Sequence, residues 1–208
     1  QKIKNIQIED LLDRKPIILD DRSITKQLKG KTDLITGAAG SIGSEIVRQV
    51  LGFEPAKLIM VDQAETPLHD LTLDTNALES STDIFSVIAD VRSRKAMESV
   101  FAAYQPQVVY HAAAYKHVPL MEENPAQAII TNVKGTKNLA DLSCKYGADK
   151  FVMVSTDKAV NPSNVMGASK RIAEKYVQSL QWKQKQQNNG AATKFITTRF
   201  GNVLGSNG

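Results

Sequence analysis

The sequence predicts an α/β fold in which a parallel sheet is covered by helices on both faces. Two observations support this prediction. From Lys31 onward, short apolar runs alternate with helix-like stretches, and a glycine-rich turn at residues 37–43 follows the first apolar run. Strands of a parallel sheet are buried on both faces and therefore read as apolar runs, with a helix returning the chain between them. The 208 residues are 42% hydrophobic, which is enough for one sizeable core, so we expect one domain.

Each element follows from its local pattern. Apolar runs predict six strands, at residues 34–36, 58–61, 84–88, 108–110, 151–154 and 195–198. The stretches between them predict five helices, at residues 41–51, 66–78, 94–104, 125–146 and 165–185. The fourth helix has a clear start, because Asn124 is a favoured capping residue and Pro125 suits the first helical position. Asp33 is unusual within an apolar strand, and we expect it at the exposed beginning of that strand.

The first 30 residues differ from the rest, because they sustain neither a helix nor a strand period. We interpret residues 1–30 as an arm that lies across the domain or a neighbour, and residues 31–208 as the domain itself. The chain starts without methionine and stops in a loop-like stretch, so we expect it to be a piece of a longer protein.

The composition favours a protein that is soluble as given and binds a small anionic molecule. The formal charge is +4, but the basic residues are scattered among acids and form no stripe with interleaved aromatic residues. We therefore expect no nucleic-acid partner. The single cysteine, Cys144, excludes an intramolecular disulfide and agrees with a reducing cytosol. No apolar run is long enough to span a bilayer, and we predict no metal site.

The glycine-rich turn predicts a dinucleotide site with the spacing GxxxGxG. Glycines here permit a tight turn and bring backbone N–H groups against a pyrophosphate at a helix N-terminus. A purely structural turn is the alternative for this motif alone. The cofactor-binding residues predicted from the turn are Gly37, Ala39, Gly40, Ser41, Ile42 and Gly43.

Acidic residues after the second and third strands extend this prediction. Asp62 follows the glycines at about 20 residues, where a carboxylate accepts hydrogen bonds from the adenosine ribose. No arginine comes directly after Asp62, and the acidic stretch that continues to Glu65 would repel a 2′-phosphate, so NAD is favoured over NADP. Asp90 and Val91 are placed to meet the adenine edge.

Proton-transfer groups are crowded in residues 155–170, which read S-T-D-K-A-V-N-P-S-N-V-M-G-A-S-K after the fifth strand. Hydroxyls, a carboxylate and amines at the end of a buried strand are what an enzyme needs to move protons on a carbohydrate-like substrate. The alternative for this stretch by itself is a polar loop that caps a helix.

Taken in order, these motifs resemble those of the extended short-chain dehydrogenase/reductases, which have a Rossmann-type doubly wound sheet. The matching residues are the glycine turn, Asp62, Asp90, Val91, His111 to Ala114, Asn132 and Lys170. Residues 109–125, V-Y-H-A-A-A-Y-K-H-V-P-L-M-E-E-N-P, and residues 155–170 look like the CapD-type UDP-N-acetylglucosamine 4,6-dehydratases. The resemblance extends from about Ile6 to the end.

The resemblance implies an enzyme of capsule, O-antigen or glycoprotein glycan synthesis that converts a UDP-sugar on tightly bound NAD. Hydride leaves sugar C4, water is eliminated across C5 and C6, and the hydride returns to C6. Most of a smaller substrate domain is expected to be missing. We expect a homo-oligomer whose full-length form is anchored at the cytoplasmic face of the inner membrane, while the piece given would be cytoplasmic.

The resemblance also implies roles for single residues. Lys170 matches the lysine that binds the nicotinamide ribose. Met166 stands where most short-chain dehydrogenases carry a catalytic tyrosine, and a thioether does no acid–base chemistry. The proton work is therefore assigned to Thr156, Asp157 and Lys158. We hypothesise that Asp157 has a raised pKa and protonates the leaving C6 hydroxyl, while Lys158 has a lowered pKa and removes the C5 proton, both in a closed apolar pocket. An exposed ion pair between these two is the alternative.

Further matched positions have supporting roles. We expect His111, Ala112, Ala113 and Asn132 beside the cofactor, with His111 as a packing and hydrogen-bonding residue rather than a base and Asn132 as a brace of the site backbone. Substrate contacts are expected from Lys116, His117, Met166, Arg199 and Asn202. Tyr115 lies in the same stretch, and Lys116 is either a phosphate contact or a solvated lysine.

Two other functions stay open at this stage. A nucleotide-sugar 4-epimerase shares the cofactor and the hydride step but needs no elimination, and the Asp157–Lys158 pair and Met166 argue against it. A non-catalytic NAD-binding scaffold of a glycan assembly complex is the second, and it would have no use for Asp157, Lys158 and Lys170 together.

Overall fold

A six-stranded parallel sheet forms the centre of the protein in a computed structural model, which describes residues 21–78, 80–186 and 192–201. The strands lie in the order β3-β2-β1-β4-β5-β6, so the direction of winding reverses between β1 and β4. They are β1 (Thr32–Thr36), β2 (Lys57–Asp62), β3 (Asp83–Ile88), β4 (Val108–His111), β5 (Lys150–Thr156) and β6 (Lys194–Phe200). All six predicted strands are confirmed. In open parallel sheets, ligands bind at the carboxyl ends of the strands where the winding reverses.

The helices connect these strands. They are α1 (Asp21–Leu28), α2 (Ser41–Leu51), α3 (Glu65–Asn76), α4 (Arg94–Tyr104), α5 (Val118–Glu123), α6 (Pro125–Ala128), α7 (Thr136–Lys145) and α8 (Val165–Gln186). A π-helical segment, Ile129–Gly135, joins α6 to α7, and a 3₁₀ turn, Asp157–Ala159, follows β5. The five predicted helices are confirmed, although the fourth contains the π-helical segment, which often marks a functional site.

Two hydrophobic clusters cover the two faces of the sheet. Leu34 belongs to the cluster that α4, α7 and α8 close, whereas its neighbour Ile35 belongs to the cluster under α1, α2 and α3. Successive side chains of a strand point to opposite faces, and both of these are fully buried. The doubly wound α/β fold is therefore confirmed. None of the described helices combines the length and the apolar composition that crossing a membrane requires.

Three local predictions were wrong. Residues 21–28 of the expected irregular arm form helix α1, whose Leu28 is buried. Residues 1–20 lie outside the described residues. Pro125 does occupy the first turn of α6, but the Asn124 side chain caps no N–H of that helix. Its Nδ2 donates instead to the Leu120 carbonyl oxygen at 3.0 Å, at the end of α5.

Asp33 is the third correction. It lies in register with Leu58 and Val108 of the neighbouring strands and is 0% exposed. Neither carboxylate oxygen has a hydrogen-bond partner within the described part of the chain. Burial raises the pKa of Asp33 to about 7, against the lowering effect of Lys31 and Lys150. Because β1 lies in the centre of the sheet, even its second residue, Asp33, is buried.

Candidate active site

The glycine turn between β1 and α2 brings two strand ends into close contact. Gly37 has φ +69°, and a Cβ atom on it would lie 2.5 Å from the Ala113 nitrogen. A Cβ atom on Gly43 would lie 1.9 Å from the Gly37 oxygen. Only glycine fits at either position, so the turn is tied to the chain after β4. Helix α2 begins at Ser41, and the first N–H groups of a helix attract anions.

A cavity of about 150 Å³ lies beside this turn, and we call it the glycine-turn cavity. It is lined by Gly37, Gly40, Val61, Asp62, Gln63, Ala89, Asp90, Val91, Ala112, Ala113, Ala114, Tyr115 and Thr131. Five predicted cofactor residues from three strand ends are thus brought together with the turn. Among the described residues, no lysine or arginine contributes to this lining.

Asp62 is held by backbone donors at the rim of the glycine-turn cavity. Its two oxygens accept hydrogen bonds from the Ala39 and Ala64 nitrogens, each at 3.0 Å. An ionised carboxylate has about four lone-pair sites, so each oxygen retains the capacity to accept another hydrogen bond. Asp62 is therefore oriented by the protein and still able to accept from a ribose.

Asp90 is paired within its own loop. Arg92 donates to it from Nε at 2.6 Å and from the backbone nitrogen at 2.8 Å. Burial alone would raise the pKa of Asp90, but the hydrogen bonds and charge of Arg92 outweigh it and hold that pKa below its usual value. Asp90 is accordingly an ionised acceptor beside the cavity.

His111, which was predicted as a cofactor contact, is not among the residues that line the glycine-turn cavity. It is 0% exposed, with Nδ1 2.8 Å from the Thr36 hydroxyl and Nε2 2.9 Å from the Thr136 hydroxyl. Burial, and then the charge of Lys170, lower the pKa of His111 to about 3, so the ring is neutral. The expected packing and hydrogen-bonding role is confirmed, because both ring nitrogens are used inside the core.

Asn132 braces the backbone, as predicted, but is not among the residues that line the glycine-turn cavity. From the π-helical segment, its Oδ1 accepts from the Tyr115 nitrogen at 2.9 Å and its Nδ2 donates to the Tyr115 oxygen at 3.0 Å. The same Nδ2 lies 2.9 Å from the Ser169 hydroxyl, which donates to the Met166 oxygen at 2.7 Å. One amide thus connects the chain after β4 to the start of α8.

A second cavity of about 480 Å³ adjoins the first and shares Ala112 and Ala114 with it; we call it the lysine cavity. It is lined by Ile42, Ala112, Ala114, Lys116, His117, Val118, Pro119, Val154, Ser155, Thr156, Lys158, Met166, Lys170, Phe200 and Gly201. Most of the predicted catalytic and substrate residues therefore meet here. Asp157, Arg199 and the exposed Ser41 are not among the lining residues.

Lys170 contributes a buried amine to the lysine cavity. It is 5% exposed, and its Nζ donates to the Val154 oxygen at 2.9 Å. Burial lowers the pKa of Lys170 to about 8, and the charge of Glu174 opposes that shift. Such a lysine changes its charge within the range in which enzymes work.

Asp157 departs from its predicted environment. Its side chain is 58% exposed, its Oδ1 accepts from the Thr156 hydroxyl at 2.9 Å, and the Lys158 Nζ lies 3.4 Å away. The Thr156 hydrogen bond, which outweighs desolvation, and the charge of Lys158 lower the pKa of Asp157. A raised pKa in a closed apolar pocket was therefore wrong for this structure, because an open strand end solvates and stabilises the ionised form. The ion pair that was the alternative interpretation is the arrangement observed.

Arg199 is also placed differently from its prediction as a substrate contact. Its Nε and Nη2 donate to Glu174 at 2.9 and 2.7 Å, so its fork is occupied. Asn202 lies outside the described residues.

Sequence reasoning missed the residues that hold the start of α8. Glu122 Oε1 accepts from the Val165 nitrogen at 2.7 Å, and Asn164 Oδ1 accepts from the Gly167 nitrogen at 2.7 Å. Asn164 was recognisable as a capping type before a helix, whereas Glu122 acts across sequence distance. Met166, held between them, is 3% exposed and packs in a cluster with Met121 and Ala128 while lining the lysine cavity.

The sequence led us to expect no metal site. Across the described ranges, no three His, Cys, Asp or Glu side chains converge to hold a metal ion.

Comparison with known proteins shows the family. Residues 34–208 match the family model described as polysaccharide biosynthesis protein. The chain belongs to this family. Capsular polysaccharide biosynthesis protein CapD from Staphylococcus aureus is 48% identical over 207 residues, covering 99% of this chain and 34% of CapD. The predicted resemblance to the CapD-type branch is thereby confirmed.

Members with named activities are more distant. The UDP-N-acetylglucosamine 4,6-dehydratase (inverting) of Campylobacter jejuni is 36% identical over 86% of this chain. A UDP-glucose 4-epimerase of Rickettsia rickettsii is 34% identical over the same share. The chain spans about half the length of both relatives, 51% and 50%. Relatives named for either reaction are thus nearly equally similar to this chain.

Solved structures agree with the fold. Pen from Bacillus thuringiensis superimposes with a TM-score of 0.79 at 32% identity, covering 87% of this chain and 53% of Pen. The UDP-glucose 4-epimerase of Thermus thermophilus in complex with NAD has a TM-score of 0.66 at 25% identity, covering 81% of this chain and 54% of the epimerase. The Rossmann-type fold predicted for this chain is confirmed.

Proposed function

We propose that the protein is an NAD-dependent nucleotide-sugar 4,6-dehydratase that acts on UDP-N-acetylglucosamine in polysaccharide or glycan synthesis. One observation carries the proposal. Two adjoining cavities at the reversal of the sheet combine a glycine turn and Asp62 on one side with Thr156, Lys158 and Lys170 on the other. A relative named as this dehydratase is 36% identical to the chain.

The residues around the glycine-turn cavity suit the adenosine and pyrophosphate part of NAD. Gly37 and Gly43 allow the turn to pack against the chain after β4 and against itself. The first N–H groups of α2 have no acceptor within the helix, so they can meet a pyrophosphate. Asp62 is an oriented acceptor for a ribose, and the described residues of the lining include no cation that would select a 2′-phosphate. When bound, NAD supplies the hydride acceptor and donor for the sugar.

The lysine cavity supplies the protein's own groups. Lys170 would bind the nicotinamide ribose from its buried position. Lys158 lines the cavity and is the base proposed for the C5 proton, and Asp157, beside it, is the acid proposed for the C6 hydroxyl. A bound sugar removes water from both groups, and desolvation of a carboxyl group opposes the lowered pKa that Asp157 has in the open site. The ion pair observed is then the resting arrangement that substrate disrupts.

Replacement of Asp157 tests this assignment. Asp157→Asn should leave NAD binding intact and lower turnover about 100- to 10,000-fold, the contribution of a general acid. A matched control is Asp149→Asn, which removes a surface carboxylate paired to Lys31 at 3.0 Å, remote from both cavities. Undiminished product formation by Asp157→Asn would remove Asp157 from the mechanism.

The products test the function itself. The complete protein is incubated with UDP-N-acetylglucosamine and NAD, and the sugar products are separated and identified. A 4-keto-6-deoxy sugar supports dehydration. A galactose-configured sugar would instead support the 4-epimerase, which the Rickettsia relative keeps as the second candidate. Unchanged substrate would support a binding or scaffold role.

A further inference from the structure

Glu174 is a buried carboxylate next to the proposed site. Its side chain is 0% exposed, and it lies one helical turn beyond Lys170, so both residues lie on one face of α8. Burial of a carboxylate is unfavourable unless charges and hydrogen bonds compensate for it. The role of this buried charge can therefore be inferred from the contacts that Glu174 makes.

Four hydrogen bonds converge on this carboxylate from three elements. The Ser155 hydroxyl donates to Oε1 at 2.7 Å, and the Arg199 fork donates to both oxygens at 2.9 and 2.7 Å. Arg171 donates to Oε2 at 3.3 Å. Ser155 and Arg199 are partners in the register of β5 and β6. One side chain thus fastens α8 to the carboxyl ends of two strands.

The fastened residues form one wall of the lysine cavity. Ser155 and Lys170 line it directly, and so does Phe200, the residue after Arg199. A change at Glu174 would therefore be transmitted to β5, β6 and α8 where they surround the proposed sugar site.

Charge gives Glu174 a second role. Lys170 is a buried amine, and the charge of Glu174 favours its protonated form against burial. The other charged or titratable groups on the elements around Lys170 include Arg171, Arg199, His111, Lys116, His117, Glu122, Asp157 and Lys158. The carboxylates of Glu122 and Asp157 are exposed, so Glu174 is the buried carboxylate of this described group.

We propose that Glu174 is a positioning residue, which holds the wall of Ser155 and Phe200 in place and acts as the counter-ion of the buried Lys170. This inference rests on the proposed function, because it assigns Glu174 to the same site.

The pH dependence of NAD binding tests the counter-ion role without turnover. The affinity of the complete protein for NAD is measured by titration calorimetry from pH 6 to pH 10, with no sugar present. The parent should lose affinity as Lys170 deprotonates near its pKa of about 8, and Lys170→Met should abolish this alkaline limb. Glu174→Gln keeps the shape and removes the charge, so the limb should move to lower pH by about one to three units.

A variant of opposite sign separates this role from general damage. Arg199→Gln removes a cation that neutralises Glu174, so its limb should move to higher pH. The matched control is Glu98→Gln, which removes a surface carboxylate paired to Lys145 and should leave the limb unchanged.

A limb that does not move in folded Glu174→Gln, or that moves the same way in both variants, would overturn the inference. If Glu174→Gln does not fold, Arg199→Gln decides alone, and the lack of an upward shift overturns it. Failure of the proposed function has a separate signature, since the parent would then bind NAD with its alkaline limb yet form no dehydrated sugar. A parent that does not bind NAD at all would overturn both.

Discussion

The two adjoining cavities are built in different ways. The glycine-turn cavity is shaped by backbone and small side chains, where Gly37 and Ala113 approach so closely that no Cβ atom fits. The lysine cavity contains four ionisable side chains, Lys116, His117, Lys158 and Lys170, and its wall depends on contacts between distant elements behind it, such as that of Glu174 with Arg199. The first is therefore a rigid cradle, and the second is a set of charges that a substrate can rearrange.

The largest expected effect is in the rigid cradle. Gly37→Ala would place a Cβ atom 2.5 Å from the Ala113 nitrogen at φ +69°. We expect NAD affinity to fall by more than about 100-fold, since small displacements of a site have effects of that size. Gly30→Ala is the matched control, because φ is +71° but the Cβ atom would meet no atom of the described residues within 4 Å. Its effect should be limited to about 1–2 kcal/mol of stability. Equal NAD affinity in both variants, measured by calorimetry, would show that the cradle is not rigid.

Replacement of Lys158 tests the role of the lysine cavity. Lys158→Met removes the amine but keeps an apolar stem, so turnover should fall about 100- to 10,000-fold while NAD affinity stays at the parent value. Product formation and calorimetric NAD binding are measured on the same preparation. Lys145→Met, on the surface beside Glu98, is the control. If Lys158→Met lowers NAD affinity as much as turnover, the two cavities are not separate in function.

Asp62 should show a smaller effect. Asp62→Asn retains an oxygen for one of the two backbone donors, Ala39 or Ala64, and loses the charge. NAD affinity should fall about 10- to 100-fold, the range for hydrogen bonds to charged groups. The ratio of NAD to NADP affinity should narrow at the same time. An unchanged ratio would mean that Asp62 holds only the loop.

The smallest effect on activity is expected from replacement of Asp33, which lies near the amino-terminal end of the central strand β1. Asp33 has a raised pKa of about 7, so the folded state holds a proton that the unfolded state releases above its ordinary value of 3.8. Stability should therefore fall as pH rises from about 4 to 7 and stay low above that range. Asp33→Asn should remove this pH dependence, which amounts to about 2–4 kcal/mol, with NAD binding unchanged. Thermal unfolding at pH 5 and pH 8 measures it, and a parent that is equally stable at both would contradict the burial argument.

The two cavities also differ in how well the sequence predicted them. The strands, the main helices and the glycine turn were predictable, because apolar periodicity and the steric demands of glycine act over short distances. The unpredicted α1 and α5 are short helices, whose formation depends on packing more than on local pattern.

The lysine cavity was predictable as a set of residues but not as an arrangement. Thr156, Lys158, Met166 and Lys170 do converge. Arg199 and Asp157 do not line the cavity, and each side chain pairs with a neighbour, Glu174 or Lys158. Such pairing depends on which elements pack together and how far water penetrates, and a motif encodes neither.

The position of one hydrogen atom tests the proposed dehydration most directly. The complete protein is supplied with NAD and UDP-N-acetylglucosamine carrying deuterium at C4, and the product is examined by NMR and mass spectrometry. We expect a 4-keto-6-deoxy sugar with the deuterium at C6. Deuterium retained at C4 of a galactose-configured product would contradict it.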